Sequence, residues 1–117
     1  MTCALQDSIF LSVKQMAGLP IEDDSFNLEV LVHTNSVLNI LWQLGVGSEN
    51  FVITGESETW RDFLGETTKF EMVKTFVYLK TRLVFDPPAN SVLMQALKEQ
   101  AAEYEWRICN QNGGEST

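Results

Sequence analysis

Apolar residues recur along this chain at intervals of three and four, the spacing of one helix face, in several separate stretches. Ile9, Phe10, Val13 and Met16 predict a short amphipathic helix within Asp7–Ala17. Asp7 or Ser8 can cap it by accepting from the free N–H groups of its first turn. Gly18 and Pro20 end it, since glycine takes the left-handed conformation that closes a helix and proline cannot continue one. Leu31, Thr34, Val37, Leu38, Leu41 and Trp42 predict a second helix from about Phe26 to Leu44, stopped by Gly45, with Asp24 or Ser25 as its cap. Val30, Val32, Ile40 and Leu44 widen its apolar stripe beyond one face. Such a helix is central in the domain or meets a second surface in an assembly.

The stretch Gly45-Val46-Gly47-Ser48 reads as a loop. Phe51 to Thr54, β-branched and aromatic between Asn50 and Gly55, is the one place where a short strand or β-hairpin is expected, around residues 51–54. Thr59 caps a helix of one or two turns in which Trp60 and Phe63 turn inward as a plug, ended by Gly65. The most regular segment runs from Thr67 or Thr68 to Phe85, with Phe70, Val73, Phe76, Val77, Lys80, Leu83 and Val84 on one face; Asp86-Pro87-Pro88 breaks it. A last helix from Asn90 or Ser91 carries Leu93, Leu97, Ala101, Tyr104 and Ile108 on one stripe and packs antiparallel to its predecessor. The fold class is therefore mainly α, a compact bundle of four to five helices. Residues 1–110 form a single helical domain, and 111–117 a flexible polar tail that orders on a partner.

Length and charge narrow the function. A chain of 117 residues fits one domain. It shows neither a signal-peptide pattern nor an apolar run long enough to span a membrane, so it is expected to be soluble and to stay inside the cell that makes it. Sixteen acids against eight bases leave a net charge of −8, which argues against sequence-specific DNA binding because phosphate contacts need clustered Lys and Arg. Such a surface repels a duplex and suits a wall past which DNA slides without sticking; it also simply keeps a small domain soluble.

Candidate chemistry is sparse. Cys3 and Cys109 lack CxxC spacing and a nearby histidine, and read as free thiols. His33, the only histidine, has no carboxylate or cysteine at i+3 or i+4 and reads as a helix residue with no catalytic role. Glu56, Glu58, Asp62 and Glu66 are the densest carboxylate set; without the alternating ligands of a calcium loop they read as a solvated acidic surface. Gly45-Val46-Gly47 has no preceding strand and no following lysine, so it terminates a helix and cradles no phosphate. Of the tryptophans Trp42, Trp60 and Trp106, the last is the most interface-like, one position off its apolar stripe and next to Arg107. No enzyme activity, cofactor or metal is expected.

The order of these pieces is itself informative. A short leading helix precedes a long one ending in Leu38-Asn39-Ile40-Leu41-Trp42-Gln43-Leu44-Gly45-Val46-Gly47. Then come Thr59-Trp60-Arg61-Asp62-Phe63-Leu64-Gly65, the helix Val73-Lys74-Thr75-Phe76-Val77-Tyr78-Leu79-Lys80-Thr81-Arg82-Leu83-Val84-Phe85 closed by Asp86-Pro87-Pro88, and Tyr104-Glu105-Trp106-Arg107. This series resembles the small head-tail connector proteins of tailed bacteriophages and prophages, over about residues 5–108. The most specific part is the long helix running into Asp-Pro-Pro followed by a helix ending in Glu-Trp-Arg.

The resemblance implies an adaptor, or head-completion protein, that assembles as a ring of about twelve copies beneath the portal, in the virion neck. Its partners would be the portal protein, other copies of itself and a stopper or tail-completion protein, with DNA passing through the channel and no membrane involved. In such families the last helix and terminal segments dock on the portal, which points to Tyr104, Trp106, Arg107 and Ile108 as a portal or neighbour interface. Loops face the next ring, leaving Glu56, Glu58, Asp62 and Glu66 as a channel or loop surface. A rival reading from a different class is a small acidic phage or prophage regulatory module that binds a basic host protein one to one. A third, a metal-dependent hydrolase, would need a bound divalent ion.

Overall fold

The structure is a computed structural model that describes residues 7–65 and 69–115, with 111–115 as backbone only. Cys3, Glu66 and the expected helix start at Thr67 or Thr68 lie outside the described residues. Five helices follow one another: α1 Ile9–Met16, α2 Asn27–Gln43, α3 Trp60–Leu64, α4 Phe70–Phe85 and α5 Ser91–Glu115. The mainly helical bundle read from the sequence is the observed architecture.

Local chemistry explains most of the boundaries. Ser8 Oγ accepts from Leu11 N at 3.3 Å and starts α1. Thr59 and Asp62 form a reciprocal capping box at α3, with Asp62 Oδ2 accepting from Thr59 N at 2.9 Å and Thr59 Oγ1 accepting from Asp62 N at 3.2 Å. Asn90 Oδ1 accepts from Val92 N at 2.8 Å and Leu93 N at 3.1 Å, opening α5 after Pro87 and Pro88. The start of α2 departs from expectation. Asp23 Oδ1 accepts from Ser25 N and Asp24 Oδ1 from Asn27 Nδ2, so both carboxylates are spent on their own loop, and Phe26 precedes the helix with no side-chain cap.

The main core gathers Ile9, Phe10 and Val13 of α1, Val30, Val37, Leu38 and Leu41 of α2, Trp60 and Phe63 of α3, Phe70, Val73, Phe76 and Val77 of α4, and Ile108 of α5. Trp60 and Phe63 are the expected plug: both are buried, and Trp60 Nε1 donates to Ser12 Oγ at 3.2 Å. A smaller cluster of Leu79, Leu97 and Ala101, with Leu83 and Tyr104 against it, holds α5 on α4. Burial on this scale stabilises by about 1.5–3 kcal/mol per large apolar side chain. Lys14 is buried as well: its Nζ donates to Ile21 O at 2.8 Å and lies 5.7 Å from the Phe10 ring centroid, tying the α1–α2 loop to the core.

The strand or hairpin expected around residues 51–54 does not form; among the described residues there is no strand, only a single bridge between Ser8 and Thr59. The reason is visible at Ile53, whose N–H donates to Asn35 Oδ1 at 2.8 Å and whose carbonyl accepts from Asn35 Nδ2 at 3.2 Å. One helix side chain thus supplies both partners that an adjacent strand would otherwise offer, and buries Ile53 in the core.

Gly47 has φ +92°, and a Cβ built on it would lie 2.2 Å from Phe63 Cζ. The loop after α2 passes so close over the plug that only glycine fits. The polar segment 111–117 begins as a continuation of α5, which runs to Glu115; residues 116 and 117 and the side chains from 111 onward lie outside the described residues.

Candidate functional site

Folding leaves two apolar surfaces uncovered, at opposite ends of α4. The first surrounds the C-terminal part of α5. Tyr104 is half-buried between the two hydrophobic clusters, and the Arg107 guanidinium lies 5.8 Å from its ring centroid. Arg107 Nη2 also pairs with Glu103 Oε2 at 2.6 Å, one turn back, with both side chains about half exposed. Trp106 projects outward, 65% exposed, and with Met72, Arg107 and Asn110 lines a cleft of about 380 Å³. Asn110 Nδ2 donates to Trp106 O at 2.9 Å. The structure therefore brings Tyr104, Trp106 and Arg107 to one face. Ile108, grouped with them in the sequence, is fully buried in the main core and supports that face from behind.

The second surface lies between the start of α2 and the end of α4, where Leu28, Glu29, Val32, His33, Val84 and Phe85 line a mostly apolar groove of about 500 Å³. Leu28, Val32 and Val84 are 70%, 59% and 61% exposed, a large outlay of aliphatic surface for a small domain. His33 and Thr81 share a hydrogen bond, with Nε2 and Oγ1 3.0 Å apart, and the imidazole stands edge-on to Phe85 at 5.4 Å between centroids. Burial holds the His33 pKa below its ordinary value, and the Lys80 ammonium lowers it further. The ring is thus kept neutral as a packing group.

This groove was missed residue by residue, although the over-wide apolar stripe of α2 signalled it. Val84 was read as part of the buried face of α4, yet it lies at the helix end, where the neighbouring loop does not cover it.

The acidic loop set has structural duties. Glu58 Oε2 accepts from Thr54 N at 3.2 Å and Thr54 Oγ1 at 3.0 Å. Its partial burial raises the carboxyl pKa, but the bonds from Thr54 and neighbouring backbone outweigh this and hold it below the usual range. Asp62 is the capping-box residue of α3, Glu56 is exposed, and Glu66 lies outside the described residues. Among the described residues no three His, Cys, Asp or Glu side chains converge to hold a metal ion. No described helix is long and apolar enough to cross a membrane. Cys109 carries an exposed free thiol.

No curated protein and no solved structure matches the chain. A family model does, the one described as phage connector protein, over residues 9–115, from the first turn of α1 to the last of α5. A match of that extent takes in every helix and both exposed surfaces. The chain belongs to the phage connector proteins, structural components of the junction between phage head and tail.

Proposed function

We propose that this protein assembles as a ring of copies in the virion neck, beneath the portal, where it extends the DNA channel and supports attachment of a stopper or tail-completion protein. The observation that carries this reading is the family match over the whole helical unit, residues 9–115. Two further features support it. A net charge of −8 suits a channel wall past which DNA moves without adhering. The uncovered aliphatic and aromatic surface at both ends of α4 suits a chain that completes its burial in an assembly.

In this arrangement the face of Tyr104, Trp106 and Arg107, continued by residues 111–117, meets the portal or a neighbouring copy. The loop carrying Glu56, Glu58, Asp62 and Glu66 faces the channel or the next ring. The role is mechanical and needs no catalytic group, and assembly takes place in the cytoplasm of the host bacterium.

The test is to disrupt the gene in its phage or prophage genome and image the induced lysate by electron microscopy. Normal heads and tails that stay unjoined, with heads that have lost DNA, are expected. Intact virions at unchanged yield would overturn the proposal and favour a small acidic regulatory module acting on a basic host protein.

A further inference from the structure

The two uncovered surfaces have complementary shapes and charges. One is convex, with the Trp106 indole projecting; the other is a concave groove walled by Leu28, Val32, Val84 and Phe85. Each is apolar apart from a single charged lining residue, and the signs are opposite: Arg107 beside Trp106, Glu29 in the groove. The groove, about 500 Å³, lies within the roughly 300–1,000 Å³ range of clefts that engulf a small ligand, and so has room for an indole.

Their placement rules out contact within one molecule. Met72 marks the first surface and Val84 the second, and on α4 they are separated by roughly 18 Å along the axis and about 120° around it at helical rise and twist. One copy can therefore use one surface to fill the other only on a second copy.

We infer that Trp106 of one copy inserts into the Leu28–Val32–Val84 groove of the next, with Arg107 meeting Glu29. Because a different patch is used on each side, the contact is head-to-tail, and it closes into a ring when the rotation per copy permits. Arg107 gives up only a half-exposed pairing with Glu103, a surface contact of small worth. This deepens the ring proposal and rests on it for closure alone.

The experiment uses two full-length variants, each spoiling one surface at a solvent-exposed position: Trp106→Ala and Val32→Asp. Circular dichroism checks that both keep the native helix content, with Val84→Asp in reserve for the groove. Assembly is followed by sedimentation and by chemical cross-linking, for the free chain over a concentration series and on the portal encoded by the same genome.

The wild type should give a cross-linked ladder. Each variant alone should lose at least about tenfold in apparent association, as expected for a central tryptophan anchor and its pocket. The equimolar mixture should stop at the dimer, because one intact indole meets one intact groove and nothing is left to continue.

Wild-type ladders that persist in both variants would overturn this pairing while leaving the ring standing. A Trp106→Ala chain that loses the portal but still self-associates would overturn it in favour of portal docking. A wild type that stays monomeric both alone and on the portal would overturn the ring itself.

Discussion

Replacing Gly47 by alanine should be among the costliest single-methyl additions in this protein, for two separable reasons. The backbone has φ +92°, a region L-residues enter at a cost of about 1–2 kcal/mol. The added Cβ would also meet Phe63 Cζ, Cε1 and Cε2 at 2.2, 2.4 and 2.6 Å. Phe63 cannot simply swing away, because it is 1% exposed and packs on Phe51 at 5.2 Å between ring centroids. Overpacking of this kind adds about 1–3 kcal/mol, for a total of about 2–5 kcal/mol. For 117 residues the unfolding entropy is on the order of 0.25 kcal/mol/K, so the midpoint should fall by roughly 8–20 °C.

Thermal and urea unfolding of a glycine series separates the two causes. Gly18→Ala, with φ +79° and nothing within 4 Å, carries the backbone cost alone; Gly55→Ala, with neither feature, should be close to neutral. Adding Phe63→Leu to Gly47→Ala should recover part of the overpacking loss as a favourable coupling in a double-mutant cycle. A Gly47→Ala chain within about 1 kcal/mol of wild type, or no different from Gly18→Ala, would refute the close approach of this loop to the plug.

Asn35→Ala removes both partners of the Ile53 backbone and leaves a buried N–H and carbonyl unpaired, so it should destabilise by about 1–3 kcal/mol and expose residues 48–58 to limited proteolysis. An unchanged cleavage pattern would count against the bracket. His33 binds a proton less readily folded than unfolded, so the unfolded state takes up more protons as pH falls. Its contribution is complete above the unfolded value near 6.5 and is lost as pH drops from there toward the lower folded value. The stability advantage of wild type over His33→Gln should therefore shrink between about pH 7 and pH 5 in urea titrations, and a difference that grows on acidification would reverse the assignment.

Helices α1, α3, α4 and α5 were legible because their determinants are local: the three-and-four repeat of apolar residues, Ser8 and Thr59 as caps, Gly65 as a stop, and Asp86-Pro87-Pro88 as a break. The exposed character of Trp106 was legible too, since one position off a stripe is about 100° around the helix. Family membership could be approached from the sequence because it rests on the order of these same local signals.

Other features depend on residues far apart in the chain. A β-rich run at 51–54 stays single because Asn35, eighteen positions away, occupies its hydrogen-bonding edge. Lys14 is buried because a turn seven residues on presents the Ile21 carbonyl to it. His33 meets Thr81 across forty-eight positions, and beside that pair Val32 and Val84, each expected on an apolar stripe, end as the open rim of a groove. The periodicity of the sequence sets which faces of each helix are apolar. Only the packing of α1, α3 and α5 around α2 and α4 determines which of those faces are covered, because burial belongs to the contact between elements and not to any one of them.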